Sequence, residues 1–201
     1  MKIGIAGVGG IGSNVAVHLV RTGVAELKFG DFDKIEESNL NRQFFFKDQI
    51  GKYKAEALYE NLKRINPDGK FQYEIIKFEK TNIREFFKDC DIIVEGFDKN
   101  EYKSMIIEEL YPLNKIIVSA SGIASYDCDN IQVKKMGKNL YIVGDFQKDI
   151  ADYKTYSHKV AVISATMAGI VLERGGYFEK ENWYTYGAVW YHWRQFCTRK
   201  K

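Results

Sequence analysis

The residues best suited to chemistry in this chain of 201 residues begin near its N-terminus, at Gly7-Val8-Gly9-Gly10-Ile11-Gly12-Ser13. Glycine lets the backbone turn tightly and approach a phosphate closely. The helix expected to follow offers free N–H groups and partial positive charge at its start. The loop lies between an apolar stretch and a helical one, where a nucleotide-binding loop belongs. Asp31 follows Gly12 by 19 residues. It ends the second apolar stretch, where a carboxylate would accept hydrogen bonds from ribose hydroxyls. These two features suit NAD and ATP equally.

The next segment separates the two nucleotides. It reads Asp31-Phe32-Asp33-Lys34-Ile35-Glu36-Glu37-Ser38-Asn39-Leu40-Asn41-Arg42-Gln43. With the glycine loop it gives G-x-G-G-x-G-S, then D-x-D-x(4)-S-N-L-x-R-Q. Lys54 follows about a dozen residues on, and Asp98 follows the fourth apolar strand. Each piece alone is unspecific, and the combination is not. Over residues 1–125 the chain resembles the E1-like adenylating family (ThiF, MoeB, HesA and the activating subunits for ubiquitin-like proteins). Its short length and Ser119-Ala120-Ser121-Gly122 look most like ThiF-like sulfur-carrier adenylyltransferases.

The resemblance implies ATP and Mg²⁺ as cofactors. It implies as acceptor the C-terminal carboxylate of a small ubiquitin-like sulfur carrier ending in Gly-Gly, plausibly in thiamine biosynthesis, and it implies a homodimer. The residue types agree with that chemistry. A carboxylate oxygen attacking the α-phosphorus of ATP needs charge neutralised on the triphosphate and on the leaving pyrophosphate. Arg42 offers a fork of donors, and Lys54 a point charge. Asp98 is an oxygen ligand suited to Mg²⁺. Asn39 and Gln43 are neutral donors for phosphate or ribose. Asp33 either assists Asp31 or orders the loop. Asp98 also stands where it would cap a helix starting near residue 100. Lys52 and Lys54 fall in the first turn of a helix expected over 51–65, against the helix dipole, and a bound polyphosphate would reverse that penalty.

In relatives the arginine matching Arg42 reaches across a two-fold interface. Phe44-Phe45-Phe46 follows it, three aromatics that a loop on a lone subunit would scarcely bury. Arg42 is therefore expected to complete the neighbouring subunit's site. Segment 145–158 is expected to act as the crossover loop that covers the carrier tail in relatives. An arginine common after the family aspartate is missing here, and Lys103 lies nearby.

Competing readings keep the chemistry on a different carboxylate, that of a modified tRNA base or a peptide, or take the chain as an NAD-binding oxidoreductase or a non-catalytic partner subunit. The last two leave Arg42, Lys54 and Asp98 without a purpose. Many family members carry paired C-x-x-C zinc ligands; Cys90, Cys128 and Cys197 form no such pair, and no zinc is expected. Cys128 is flanked by Asp127 and Asp129, which raise a thiol pKa, so no thioester on this chain is expected. His18, His158 and His192 are scattered.

The elements that must position these residues follow from periodicity. Residues 2–6, 25–30, 71–76, 91–94 and 116–119 read as strands. Residues 12–22, 51–65 and 82–88 read as helices, the second carrying Ala55, Leu58, Tyr59, Leu62 and Ile65 on one face. Strand and helix alternate, which predicts an α/β, Rossmann-like, mostly parallel sheet flanked by helices. A small β/α portion follows, with a hairpin over 131–143 and a buried helix over 160–172. One domain is expected over 1–201. Residues 1–125 would be its ATP-binding core and 126–201 its carrier-facing, dimer-associated part. The aromatic segment 182–196 is expected to pack on the body. A net charge of +3 is too small to argue for nucleic acid. There is no apolar run of membrane-spanning length and no signal-peptide pattern, so a cytoplasmic protein is expected.

Overall fold

The structure, a computed structural model, describes residues 1–178. The aromatic segment 182–196, His192 and Cys197 lie outside the described residues. Ile3 and Ile5 are fully buried, and all four residues of β1 (Ile3–Ala6) are shielded on both faces. A strand buried on both sides belongs inside a parallel sheet covered by helices. β1 is flanked by parallel β2 (Glu26–Asp31) and β4 (Ile92–Glu95). β3 (Lys70–Ile75) and β5 (Ile116–Ala120) extend the sheet outward. β6 (Gln132–Met136) and β7 (Leu140–Gly144) form the expected hairpin, antiparallel to each other. β7 joins β5 in parallel, so seven strands run in the order β3-β2-β1-β4-β5-β7-β6.

The helices are α1 (Gly10–Arg21), α2 (Lys54–Ile65), α3 (Ile83–Phe86), α4 (Asn100–Leu110) and α5 (Ser157–Arg174). The apolar sides of α1, α2 and α5 share one core with Ile3, Ile5, Leu27, Phe29 and Val94. Those of α3 and α4 share a second with Ile93, Ile117 and Leu140 on the other sheet face. The sheet is thus doubly wound. Its chain runs β1-β2-β3 to one side and returns for β4-β5 on the other, so a crevice opens beyond the C-terminal ends of β1 and β4. Among the described residues, no helix is long and apolar enough to cross a membrane.

Helix α5 starts at Ser157 instead of 160 and α3 at Ile83 instead of 82; two further shifted starts matter for the glycine-loop side of the site. α1 begins at Gly10 instead of residue 12, which puts Gly10 and Gly12 in its first turn. α2 begins at Lys54 instead of 51, because Gly51 holds a left-handed φ of +89° that a helix cannot include. Lys52 therefore precedes the helix, and its ammonium pairs with Glu60 at 2.9 Å.

Candidate active site

The crevice is a cavity of about 840 Å³. Its floor is the glycine loop. Gly7 turns the chain out of β1 with φ +81°, and a Cβ there would stand 2.8 Å from Phe97 Cδ1. A Cβ on Gly12 would lie 1.9 Å from the Gly7 carbonyl oxygen, so this glycine lets helix and loop touch. Gly9 is different. The one atom near a Cβ there is Gln43 Nε2, at 3.7 Å, so its open side is the cavity itself.

Gly7, Gly9, Gly10, Asp31, Asp33, Arg42, Gln43, Lys54 and Asp98 all line this one cavity. Asp31 is buried at the end of β2; its Oδ2 accepts the Val8 N–H and its Oδ1 the Asp33 N–H, both at 2.8 Å. Each carboxylate oxygen accepts two bonds, so both keep capacity for a hydroxyl. Burial raises the Asp31 pKa, and the nearby Lys54 charge and the two N–H groups offset this in part. Asp33 orients Lys54: the Lys54 ammonium donates to Asp33 Oδ2 at 2.8 Å, and the Lys54 N–H to the Asp33 carbonyl at 2.9 Å. The Lys54 side chain is 9% exposed and that of Asp33 50%, so a sheltered ammonium meets a carboxylate open to solvent. Arg42 Nη1 donates to the Ser38 carbonyl at 3.1 Å and to Asn41 Oδ1 at 2.8 Å. Gln43 Oε1 is buried without a hydrogen-bond partner among the described residues, and it stands on the cavity wall. A donor on a bound ligand would satisfy it.

Three of the expected site residues are engaged within the protein. Gly12 is occupied in packing. Ser13 is fully buried, with its hydroxyl donating to the Gly9 carbonyl at 2.6 Å and accepting the Phe44 N–H at 3.0 Å. Asn39 Oδ1 accepts the Glu36 N–H at 3.1 Å, so this amide folds its own loop. None of the three lines the cavity.

Arg42 lines the cavity of its own chain, as Asp98 does. The three phenylalanines that follow it are unequally covered. Phe45 is 6% exposed, Phe44 is half-buried, and Phe46 remains 45% exposed. The helix preceded by Asp98 has Lys99 at its cap and no side-chain cap bond, which leaves the Asp98 carboxylate uncommitted. Cys90 is a core thiol, pushed up to about 12 by burial and the neighbouring Asp89. Cys128 is half-buried and outside the cavity lining.

Several contributors escape motif reading. Asn14 Nδ2 donates to the Gly10 carbonyl at 2.6 Å and to the Arg42 carbonyl at 2.8 Å, which ties the Arg42 loop to α1. Glu95 is fully buried and accepts from Ser119 Oγ at 2.5 Å, Lys103 Nζ at 3.0 Å and the Phe97 N–H at 2.7 Å. This cluster fixes the turn that presents Gly96 and Asp98, and it employs Lys103. The far wall comes from Ile123, from Ile150 to Tyr156, and from Ser157 and Val160. Segment 145–158 therefore reaches the cavity. Behind it, Lys159 pairs with Asp145 at 2.5 Å, both side chains buried. Burial pulls the Asp145 carboxyl upward, but the Lys159 ammonium and the Lys148 and Gln147 N–H groups outweigh it and leave it below the ordinary carboxylate value.

The chain belongs to the ThiF family, which it matches over residues 1–172. It is 39% identical over 94 residues to the ubiquitin-like modifier-activating enzyme 5 of Xenopus laevis, covering 47% of this chain and 23% of that protein. It is 32% identical over 123 residues to the adenylyltransferase and sulfurtransferase uba4 of Aspergillus clavatus, covering 61% and 25%. The chain thus spans about a quarter of the length of these relatives. Its fold matches E. coli tRNA N6-threonylcarbamoyladenosine dehydratase, TcdA, in complex with AMP, with a TM-score of 0.79 at 20% identity over 86% of this chain and 85% of that one. It also matches E. coli MccB with AMPCPP and MccA, with a TM-score of 0.70 at 24% identity over 90% and 57%.

Proposed function

We propose that this chain is an ATP-dependent adenylyltransferase acting on the C-terminal carboxylate of a small ubiquitin-like sulfur carrier, as in thiamine biosynthesis. The observation that carries the reading is that Arg42, Lys54 and Asp98 line the same cavity as the glycine loop. Asp31 would accept the ribose hydroxyls. The open side of Gly9 and the start of α1 would take phosphate oxygens. Lys54, aimed by Asp33, and Arg42, held by Ser38 and Asn41, would neutralise the triphosphate. The donor set fits a hard cation in one respect, an exposed carboxylate at the cavity edge with no other duty. Among the described residues no three ionisable ligands cluster, so Asp98 would share Mg²⁺ with phosphate and water oxygens. Such an ion would offset phosphate charge when bound.

A carboxylate oxygen of the acceptor attacks the α-phosphorus. The bond from that phosphorus to the bridging oxygen breaks, and pyrophosphate leaves with the electron pair. No side-chain base is required, because the acceptor is already ionised at neutral pH. A homodimer remains part of this reading.

A second reading keeps the chemistry and takes a peptide or a modified tRNA base as acceptor; TcdA, whose fold this chain matches, is by its name a tRNA N6-threonylcarbamoyladenosine dehydratase. The mouth of the cavity favours protein over RNA. Ile150, Tyr153 and Tyr156 line it and are exposed. The test is exchange of labelled pyrophosphate into ATP with Gly-Gly-ending carriers from the same cell. Carrier-dependent exchange is expected in the parent, and Asp98→Asn is expected to abolish it while remaining folded. Absence of exchange with every such carrier would remove this reading.

A further inference from the structure

The Lys159–Asp145 ion pair has no part in the reaction above. Lys159 sits in the first turn of α5 and is fully buried. Its ammonium donates to Asp145 Oδ2 at 2.5 Å and to the Ala124 carbonyl at 2.6 Å. Asp145 Oδ1 accepts the Gln147 and Lys148 N–H groups at 2.8 and 2.9 Å. One ammonium therefore joins three stretches: the chain leaving β5, the chain leaving β7, and the start of α5.

Each stretch supplies part of the wall opposite the glycine loop, through Ile123, through Ile150 to Tyr156, and through Ser157 and Val160. From Asp149 to Lys154 that wall is exposed. Its backbone bonds to the chain leaving β5 run through Ala124, whose N–H donates to the Lys148 carbonyl at 3.2 Å, and Ser125, whose N–H donates to the Lys154 carbonyl at 2.8 Å. Ala124 is the residue whose carbonyl Lys159 grips. The backbone beside it is committed as well: Ser125 and Phe146 hold left-handed φ angles of +71° and +63°, conformations that persist only where surroundings impose them. Against a well-packed apolar pair, a buried ion pair gives little net stability. Its consequence here is directional.

We propose that Lys159 is a positioning residue that, with Asp145, pins segment 146–156 over the acceptor side of the cavity and so fixes where the carboxylate-bearing chain lies. What the wall is for rests on the adenylation reading; that the pair pins it does not. The test is amide hydrogen exchange on the full chain, comparing the parent with Lys159→Met/Asp145→Asn, which removes both charges together. Exchange across 146–156 is expected to speed up about tenfold or more. Peptides from β1 and β4 should keep their parent rates, and affinity for AMPPNP, a non-hydrolysable ATP analogue, should not change. With a carrier that supports exchange in the parent, the carrier KM should rise while the ATP KM stays fixed. Should the double variant fail to fold, Asp145→Glu keeps the buried charges balanced while moving the carboxylate, and a smaller acceleration confined to 146–156 is expected. Unchanged exchange in 146–156, or acceleration shared equally with β1 and β4, would overturn the assignment. A chain that shows no pyrophosphate exchange but does show the localised acceleration would refute the catalytic reading and leave the pin standing.

Discussion

On the glycine-loop side of the cavity, Asp31, Gln43 and Lys54 are 7%, 9% and 7% exposed, whereas every residue from Asp149 to Lys154 on the opposite side is exposed. The floor is held by several bonds that tie the motif segments to one another: Asp31 to Val8 and Asp33, Ser13 to Gly9 and Phe44, Asn14 to Gly10 and Arg42. The far wall is tied by a few backbone bonds, from Ala124 to Lys148, from Ser125 to Lys154 and from Phe146 to Ser121, and by one buried charge pair at its base. Nucleotide binding demands the same geometry in every turnover, so a rigid floor suits it. A macromolecular chain has to thread in and leave, and a wall secured at its base and exposed at its crest suits that traffic.

The sharpest way to break this contrast is to attack the floor's packing. Gly12→Ala is expected not to fold, because its Cβ would lie 1.9 Å from the Gly7 carbonyl oxygen and both are backbone-held. Gly9→Ala is expected to fold, because 3.7 Å to Gln43 Nε2 is ordinary contact. Its added methyl stands where phosphate would approach, so ATP affinity should fall about tenfold, near 1.4 kcal/mol. Circular dichroism melts and isothermal titration with AMPPNP measure the two effects. A Gly12→Ala protein that melts with the parent would show that the floor is looser than its contacts say.

The next test asks whether one chain owns the whole floor. Arg42 and Asp98 line the cavity of the same chain. Mixed dimers of Arg42→Ala with Asp98→Ala are therefore expected to show no recovered exchange, because every site lacks one residue. If Arg42 served the partner's site, random mixing in a two-fold dimer would restore about a quarter of parent activity. Confirmed subunit exchange with recovery at that level would move Arg42 from the floor to the interface.

The same contrast explains which parts of the molecule were legible in sequence. Gly7, Gly9, Gly10, Asp31, Arg42, Gln43, Lys54 and Asp98 lie at fixed offsets along the chain, and the structure brings them to one cavity. The strand and helix alternation was equally plain, because burial on both faces of β1, β4 and β5 leaves continuous apolar runs. Ser13 and Asn39 carried the right chemistry at the right spacing, but Ser13 Oγ and Asn39 Oδ1 bond backbone groups and Asn39 Nδ2 the Ser38 hydroxyl, which spacing cannot reveal. Arg42 was expected in trans because the matching arginine of relatives crosses a two-fold interface and because three phenylalanines in a row looked unburiable on a lone subunit; Phe45 finds room in the core beside α1 and α2, and Phe46 stays exposed. Glu95–Lys103 and Asp145–Lys159 were invisible for a different reason. Neither pair is part of a local motif, and the second closes only when two strand exits and a helix start meet.

The finest test reads the contrast as opposite pKa shifts at two buried aspartates. Burial raises Asp31 above its ordinary 3.8, with the Lys54 charge and two N–H groups offsetting it in part. Asp145 is also raised by burial, but the Lys159 ammonium and two N–H groups win, and it ends below 3.8. The consequences for stability have opposite sign. For Asp145, the contribution is present above the unfolded value and is lost as pH falls through the lowered folded one. For Asp31, the folded state holds the proton better than the unfolded chain does. A cost therefore begins as pH rises through the unfolded value and is complete above the folded one. The wall should then loosen at a lower pH than the one at which the Asp31 carboxylate loses its charge for ribose. Carbon-13 shifts of the aspartate carboxyls, followed by NMR from neutral pH into acid, should place the Asp31 midpoint above 3.8 and that of Asp145 below it. Slower amide exchange across 146–156 should persist until the Asp145 transition. An Asp145 midpoint above that of Asp31 would mean that Lys159 does not hold the charge it faces, and the wall would need another anchor.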